Sequence, residues 1–244
     1  KPLSNISGFD IERYKKERKE AGATSGTVNR ELAVLSHIFN KANEWGWIDK
    51  RPKINRLKED SGRTVYLTAE QAQNLLETAK QHQAEWIYPF ILVALETGMR
   101  RSEILSIRIE NINLEHRSIF IPKAKAGART QPITKNLCEF LTEHLKTIEP
   151  EQEWLFSSNK SASGHLHWPR RAFRQVVQSA GLDPEQITPH TLRHTAITHL
   201  VQAGVDLPTV QRISGHKTLS MVARYSHQNG EHIMPAMDIL EKRY

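Results

Sequence analysis

Ser118-Ile119-Phe120-Ile121-Pro122-Lys123-Ala124-Lys125-Ala126-Gly127-Ala128-Arg129-Thr130-Gln131-Pro132-Ile133 is where the pattern of this chain changes period. Ser118 to Ile121 reads as a strand, Lys125-Ala126-Gly127-Ala128 as a turn, and the residues up to Ile133 as a second strand. Ile107, Ile109 and Ile112 just before it mark further extended chain. The stretch therefore predicts a small antiparallel sheet set inside a chain that is otherwise helical.

On the N-terminal side, Asp10–Glu20 and Thr27–Trp45 read as helices, the second with Val28, Leu32, Leu35, Ile38, Phe39 and Ala42 at helical spacing. Thr68 followed by Gln71 fits a capping box that opens a helix reaching Gln81. An apolar helix over Glu85–Glu96 is punctuated by Gly98, and a short one covers Ser102–Ser106. After the hairpin, helices are expected at Lys135–Thr147, Pro169–Ala180, Pro189–Ala203, Asp206–Ser214, Leu219–Tyr225 and in the tail. Residues 60–64, with Asp60-Ser61-Gly62, lack a periodic apolar pattern and read as a linker, dividing the chain into 1–59 and 65–244. The expected fold class is mainly α with a small antiparallel β-sheet.

Composition narrows the chemistry. The 244 residues are 38% hydrophobic and 25% charged, without low-complexity tracts or repeats, as in a globular protein. No apolar run reaches the length of a membrane span and no signal-peptide pattern opens the chain, which predicts a soluble, cytoplasmic protein. A single cysteine, Cys138, cannot make an internal disulfide. No Cys/His cluster has zinc spacing and no Gly-rich loop cradles a nucleotide, so neither a metal nor a cofactor is expected. Lys1 to Arg63 holds 14 Lys and Arg against 9 Asp and Glu, a net +5 of the chain's +7. Such an excess suits DNA, whose phosphates release counterions on neutralisation, but Glu12, Glu17 and Glu20 interleave with it as on a solvated helix face.

Several residues carry candidate chemistry, each with a structural alternative. Thr188 can cap a helix with Pro189 in its first turn, so that His190 and Arg193 share a face able to address one phosphate. His194, one residue on, reads as facing elsewhere and structural. Thr97-Gly98-Met99-Arg100-Arg101-Ser102-Glu103 sets a guanidinium after a helix break with a carboxylate three residues on, a phosphate fork or an ordinary salt bridge. Lys125 on the hairpin could donate a proton, with Lys123 as its rival. Ser214-Gly215-His216 presents an imidazole beside a glycine, and Tyr225 is one of five tyrosines, ordinarily assigned to packing.

Taken together these motifs resemble the tyrosine recombinases, and among them the phage-type integrases. The likeness runs from Thr27-Val28-Asn29-Arg30-Glu31-Leu32 through Tyr66-Leu67-Thr68, Thr97 to Glu103, the hairpin lysine, His190-x-x-Arg193 and Gly215-His216 to Tyr225, in the family's order. The resemblance implies the catalytic fold of that family preceded by a helical core-binding DNA domain. It implies a strand exchange, independent of metal and ATP, that integrates or excises a mobile element. Tyr225 would attack a DNA phosphate to give a 3′-phosphotyrosine and a free 5′-hydroxyl. Arg100 and Arg193 would grip the non-bridging oxygens and Lys125 would protonate the leaving 5′-oxygen. His190 would accept the phenolic proton, His216 would hydrogen-bond the phosphate, and Glu103 would orient Arg100.

Double-stranded attachment-site DNA and a homotetramer are the implied partners, with host DNA-bending and excisionase proteins as accessories. The segment before the linker is short for a core-binding domain, so part of it, and a separate arm-binding domain, are expected outside this chain. Val222 departs from the threonine often found three residues before the nucleophile. In the tail, Ile233, Met237, Leu240 and Tyr244 form one helical stripe that could fold onto its own domain or dock on a neighbouring protomer. A type IB topoisomerase and a non-catalytic DNA-binding relative are the alternatives.

Overall fold

A computed structural model of the chain describes residues 1–59, 65–124 and 127–225. The chain forms two compact units, Lys1–Arg63 and Thr64–Tyr244. In the first, helix α1 (Gly8–Glu20) starts at a capping box in which Ser7 and Asp10 satisfy each other's backbone N–H groups, and α2 (Ser25–Glu44) starts at Thr24, whose hydroxyl accepts from Thr27 N–H. The helical spacing of Val28, Leu32, Phe39 and Ala42 places these residues in the interior, with Ile11 and Ile48 from outside α2. Asn29, also buried, donates from Nδ2 to the Leu57 carbonyl at 2.9 Å and accepts at Oδ1 from the Leu57 N–H at 2.8 Å. One side chain thus ties the segment leading out of the unit onto α2.

The second unit is organised around α4 (Ile87–Thr97), where Ile87, Phe90, Ile91, Val93 and Ala94 are buried on all sides. Burial of each such aliphatic or aromatic side chain contributes about 1.5–3 kcal/mol. The helix α3 (Ala69–Lys80) packs on it, opened by the Thr68–Gln71 capping box, as does α8 (Pro189–Gln202). Thr195 on α8 accepts from the Leu67 N–H at 3.0 Å, and His199 Nε2 bonds the Leu67 carbonyl at 3.0 Å, which fixes the start of the unit against α8. Helix α5 (Arg101–Leu105) follows the break at Gly98. Strands β1 (Ile112–Asn113), β2 (Ser118–Ile121) and β3 (Arg129–Pro132) form an antiparallel sheet in that order, with Ile119 opposite Gln131. Helices α6 (Lys135–Leu145), α7 (Arg170–Ser179), α9 (Leu207–Ser214) and α10 (Leu219–Ala223) complete the described residues.

One element differs from its sequence pattern. Around Ile107 and Ile109 the chain makes only an isolated bridge, Arg108 to Trp154, and a single 3-10 turn at Ile109–Asn111. The Ile107 N–H turns back to the Ile104 carbonyl, the Ile107 carbonyl accepts from the Leu155 N–H and the Ile109 N–H donates to the Glu153 carbonyl, so a distant loop takes the place of a continuous strand. The linker, residues 60–64, the turn residue Lys125, and the tail stripe Ile233 to Tyr244 lie outside the described residues. Among the described residues no helix is long and apolar enough to cross a membrane.

Candidate active site

Gly98 ends α4 in the left-handed region, at φ 62°, which a residue without Cβ adopts without strain. The reversal aims its carbonyl at α8, where Arg193 Nη1 donates to it at 2.7 Å. Arg193 is 1% exposed. Its other bond runs from Nη2 to His216 Nε2 at 3.1 Å. Both partners are neutral acceptors, and among the described residues no carboxylate is ion-paired with this buried cation. Burial, together with the Arg100 charge, pulls Arg193 down to about 10, which still leaves it protonated at neutral pH.

The tautomer of His216 follows from that contact. Guanidinium nitrogens only donate, so Nε2 must accept and the ring proton sits on Nδ1, which faces Ser214 Oγ at 2.7 Å. Burial, then Arg193 and Arg100, lower His216 to about 4 and keep it neutral.

Arg100 lies just before α5. Its backbone N–H donates to Glu103 Oε2 at 3.1 Å, its Nη1 to Glu103 Oε1 at 2.9 Å, and its Nη2 to the Gly215 carbonyl at 3.1 Å. Glu103, buried, also receives Arg129 Nη2 at 2.8 Å from β3. Burial raises the Glu103 carboxyl, but the hydrogen bonds from Arg100 and the charges of Arg129 and Arg100 outweigh it and hold the group below its ordinary range. Gly215 closes α9 at φ 64°, and its α-carbon faces the Arg129 guanidinium so closely that a Cβ there would have to push it aside.

Tyr225 follows α10 and is buried, with its hydroxyl 2.5 Å from His194 Nδ1. Burial raises the phenol, opposed by the charges of Arg224 and Arg193. His190 stands one turn before His194, the two rings meeting edge to face with centroids 4.4 Å apart. Partial desolvation and the charges of Arg193, Arg224 and Arg100 lower His190. Two guanidiniums, three neutral imidazoles and a phenol thus share one site built from α4, α5, α8, α9 and α10. Among the described residues no group of three or more His, Cys, Asp or Glu gathers that could hold a metal ion.

This arrangement stands beside a match of residues 65–232 to the model of the phage integrase family, more than half of the chain. The chain belongs to that family, the tyrosine recombinases. It is 34% identical over 235 residues to a putative integrase/recombinase of Haemophilus influenzae, covering 91% of this chain and 72% of that protein. It is 30% identical to a putative integrase of Pseudomonas phage Pf1, over 98% of this chain and 70% of that one. The integrase of transposon Tn1549, solved in complex with a circular intermediate DNA, superimposes with a TM-score of 0.82 at 22% identity, over 98% of this chain and 87% of that one.

Of the residues singled out in the sequence of this integrase-family chain, Arg100, Glu103, His190, Arg193, His216 and Tyr225 converge. Lys125 lies outside the described residues. Lys123, exposed, lines a small groove that ends at Glu103. His194 does not face elsewhere, as its place next to Arg193 suggested, but meets both Tyr225 and His190. Its spacing of four from His190 put it on the His190 face, and that signal was present in the sequence. Arg129 was also missed: its role depends on Glu103 and Gly215, both far away in the chain.

Proposed function

We propose that this recombinase cleaves and rejoins double-stranded DNA at a specific site through a 3′-phosphotyrosine on Tyr225. The observation that carries the reading is Arg193, a buried cation whose direct partners are all neutral, close to the phenol. A buried charge of this kind costs several kcal/mol unless an anion joins it, and a phosphodiester oxygen between Arg193 and Arg100 would supply that anion. The Glu103 carboxylate and the Gly215 carbonyl hold the Arg100 fork open toward the same place.

In this mechanism Tyr225 Oη attacks phosphorus, the two guanidiniums neutralise charge that grows on the non-bridging oxygens, and the 5′-oxygen leaves. The phenolic proton passes to His190, whose ring meets that of His194 beside the phenol. Phosphate would replace His216 as the acceptor on Arg193 Nη2, freeing the imidazole to bond the phosphate after its proton moves to Nε2. Lys125, or Lys123 in its place, protonates the departing 5′-oxygen. Because the phosphotyrosine keeps the bond energy, attack by another 5′-hydroxyl reseals the strand.

The basic helical unit, residues 1–59, serves as the core-binding DNA domain. A tetramer on DNA is the assembly this reading implies, and an apolar groove of about 560 Å³ lined by Ala72, Leu76, Leu95, Ala196 and Leu200 suits an apolar segment of the same or a neighbouring protomer. The reaction takes place in the cytoplasm of a bacterial or phage-infected cell, with DNA-bending and excisionase proteins setting direction.

The test begins with a randomised pool of nicked duplexes, from which the chain selects its site by covalent capture. Two copies of that site on one plasmid should then be exchanged, giving deletion or inversion products. Relaxation of a plasmid that lacks the site, with no exchange, would point to a topoisomerase instead.

A further inference from the structure

We propose that Ser214 is a positioning residue for His216: its hydroxyl accepts from Nδ1–H in the free protein and turns to donate to Nδ1 when DNA is bound, which lets the imidazole change from an acceptor of Arg193 into a donor to the phosphate. The inference rests on the reading of the site as one that takes a phosphodiester, and it names the group that sets the ring proton there.

His216 must play two opposite parts with one nitrogen. In the free protein Nε2 accepts from Arg193 Nη2 at 3.1 Å, so the single proton of the neutral ring lies on Nδ1. A phosphodiester oxygen only accepts, and a bare Nε2 lone pair facing it would be repelled. The ring can therefore bond the phosphate only with its proton on Nε2, which leaves Nδ1 as a lone pair inside the protein. Which nitrogen carries the proton is set by the hydrogen bond that the other one makes. Here the partner of Nδ1 is Ser214 Oγ at 2.7 Å, on a side chain that is 0% exposed. A backbone carbonyl in that place would lock the proton on Nδ1, and a backbone N–H would lock it on Nε2. A hydroxyl, with one donor and two lone pairs, serves both states.

The surroundings leave the hydroxyl free to turn. In the free protein its proton points to the Gln211 carbonyl at 3.3 Å, a long bond that is cheap to give up. That carbonyl also accepts from the Gly215 N–H at 2.9 Å and the His216 N–H at 3.3 Å, so it keeps partners when the hydroxyl turns away. The backbone of His216 stays in place meanwhile, because Gln211 Nε2 donates to its carbonyl at 3.2 Å. One proton leaves Nδ1 and one arrives at Nε2, both exchanged with water at the partly exposed ring, and the charge of the ring is unchanged. Arg193 Nη2, released by His216, then turns its N–H to the phosphate.

The experiment reads the two ring nitrogens of His216 by heteronuclear NMR of isotope-labelled protein, with the signals assigned by their loss in His216→Phe. The free wild type should carry the ring proton on Nδ1. Tyr225→Phe, which lacks the nucleophile, should carry it on Nε2 alone when bound to the selected duplex. A proton on Nε2 in the free protein, or one still on Nδ1 in the complex, overturns the switch, and neither reading needs a change at position 214. Rates of covalent adduct formation at saturating nicked duplex supply the second measurement. Ser214→Ala should slow the reaction by roughly 5- to 100-fold, the consequence of a buried ring nitrogen left without its partner. In a His216→Phe background the same change should alter the rate by less than about twofold, because the group it acts on is gone. A near wild-type rate in Ser214→Ala, or an equal loss in both backgrounds, overturns the assignment. With no wild-type adduct at all the recombinase reading itself fails, whereas each of the other results, obtained with a wild type that cleaves, removes only the role of Ser214.

Discussion

Replacing Gly215 by alanine should disturb the site through the Arg129 guanidinium packed against it. The position has φ 64°, and a Cβ built there would lie 2.7 Å from Arg129 Nε, 3.0 Å from Cζ and 3.1 Å from Cδ. Left-handed backbone costs a residue with a Cβ about 1–2 kcal/mol. The contact must also push Arg129 aside, and its charge-assisted bond to Glu103 at 2.8 Å is the one most exposed to loss, worth about 1.5–3 kcal/mol. The sum is about 3–5 kcal/mol, or a melting temperature lowered by roughly 6–20 °C in a unit of this size. Urea denaturation of a double-mutant cycle separates the two parts. In an Arg129→Ala background the steric conflict is already gone, so Gly215→Ala should cost only the backbone share, leaving a coupling of about 1.5–3 kcal/mol. If Gly215→Ala costs the same in both backgrounds, Arg129 is not packed on this glycine and the cradle around Arg100 is wrongly drawn.

Other perturbations test other parts of the fold. Glu103 has a depressed carboxyl, so its contribution to stability is complete above the ordinary value of 4.5 and is lost as pH falls through the folded-state value. Glu103→Gln should accordingly be less stable than wild type by about 3–5 kcal/mol at neutral pH, the cost of stripping one partner from a buried ion pair, with the gap closing in acid; urea melts across pH check both. Asn29→Ala leaves the Leu57 N–H and carbonyl without their side-chain partner, and the first unit should lose about 1–3 kcal/mol, with faster hydrogen exchange at Leu57 as the readout. Thr195→Val keeps the shape but removes the acceptor of the Leu67 N–H, and calorimetry of the second unit should show a loss of about 1–3 kcal/mol.

The helices were legible because their signals are local. Thr68 with Gln71 and Thr188 with Pro189 write their own starts, Gly98 writes a stop, and the helical spacing of Val28, Leu32 and Phe39 marks a buried face. The antiparallel hairpin was legible for the same reason. Around Ile107 and Ile109 local pattern misled, since the hydrogen bonds that shape this segment come from Glu153 and Leu155, and periodicity carries no information about a partner that distant. At the site, Arg100, Arg193, His216 and Tyr225 stand in recognisable motifs, whereas Arg129 stands in none that predicts its contact with Glu103. His194 lies between these cases. Its spacing from His190 was written in the helix, but its importance arises only when α10 brings Tyr225 onto that face.

The central claim is that Tyr225 becomes covalently joined to DNA, and peptide mass spectrometry of the trapped adduct tests it most directly. After nuclease trimming, the peptide spanning residue 225 should carry a nucleotide through its 3′-phosphate on the tyrosine oxygen. A nucleotide attached to any other side chain, Tyr66 or a histidine included, or through a 5′-phosphate, would contradict the account.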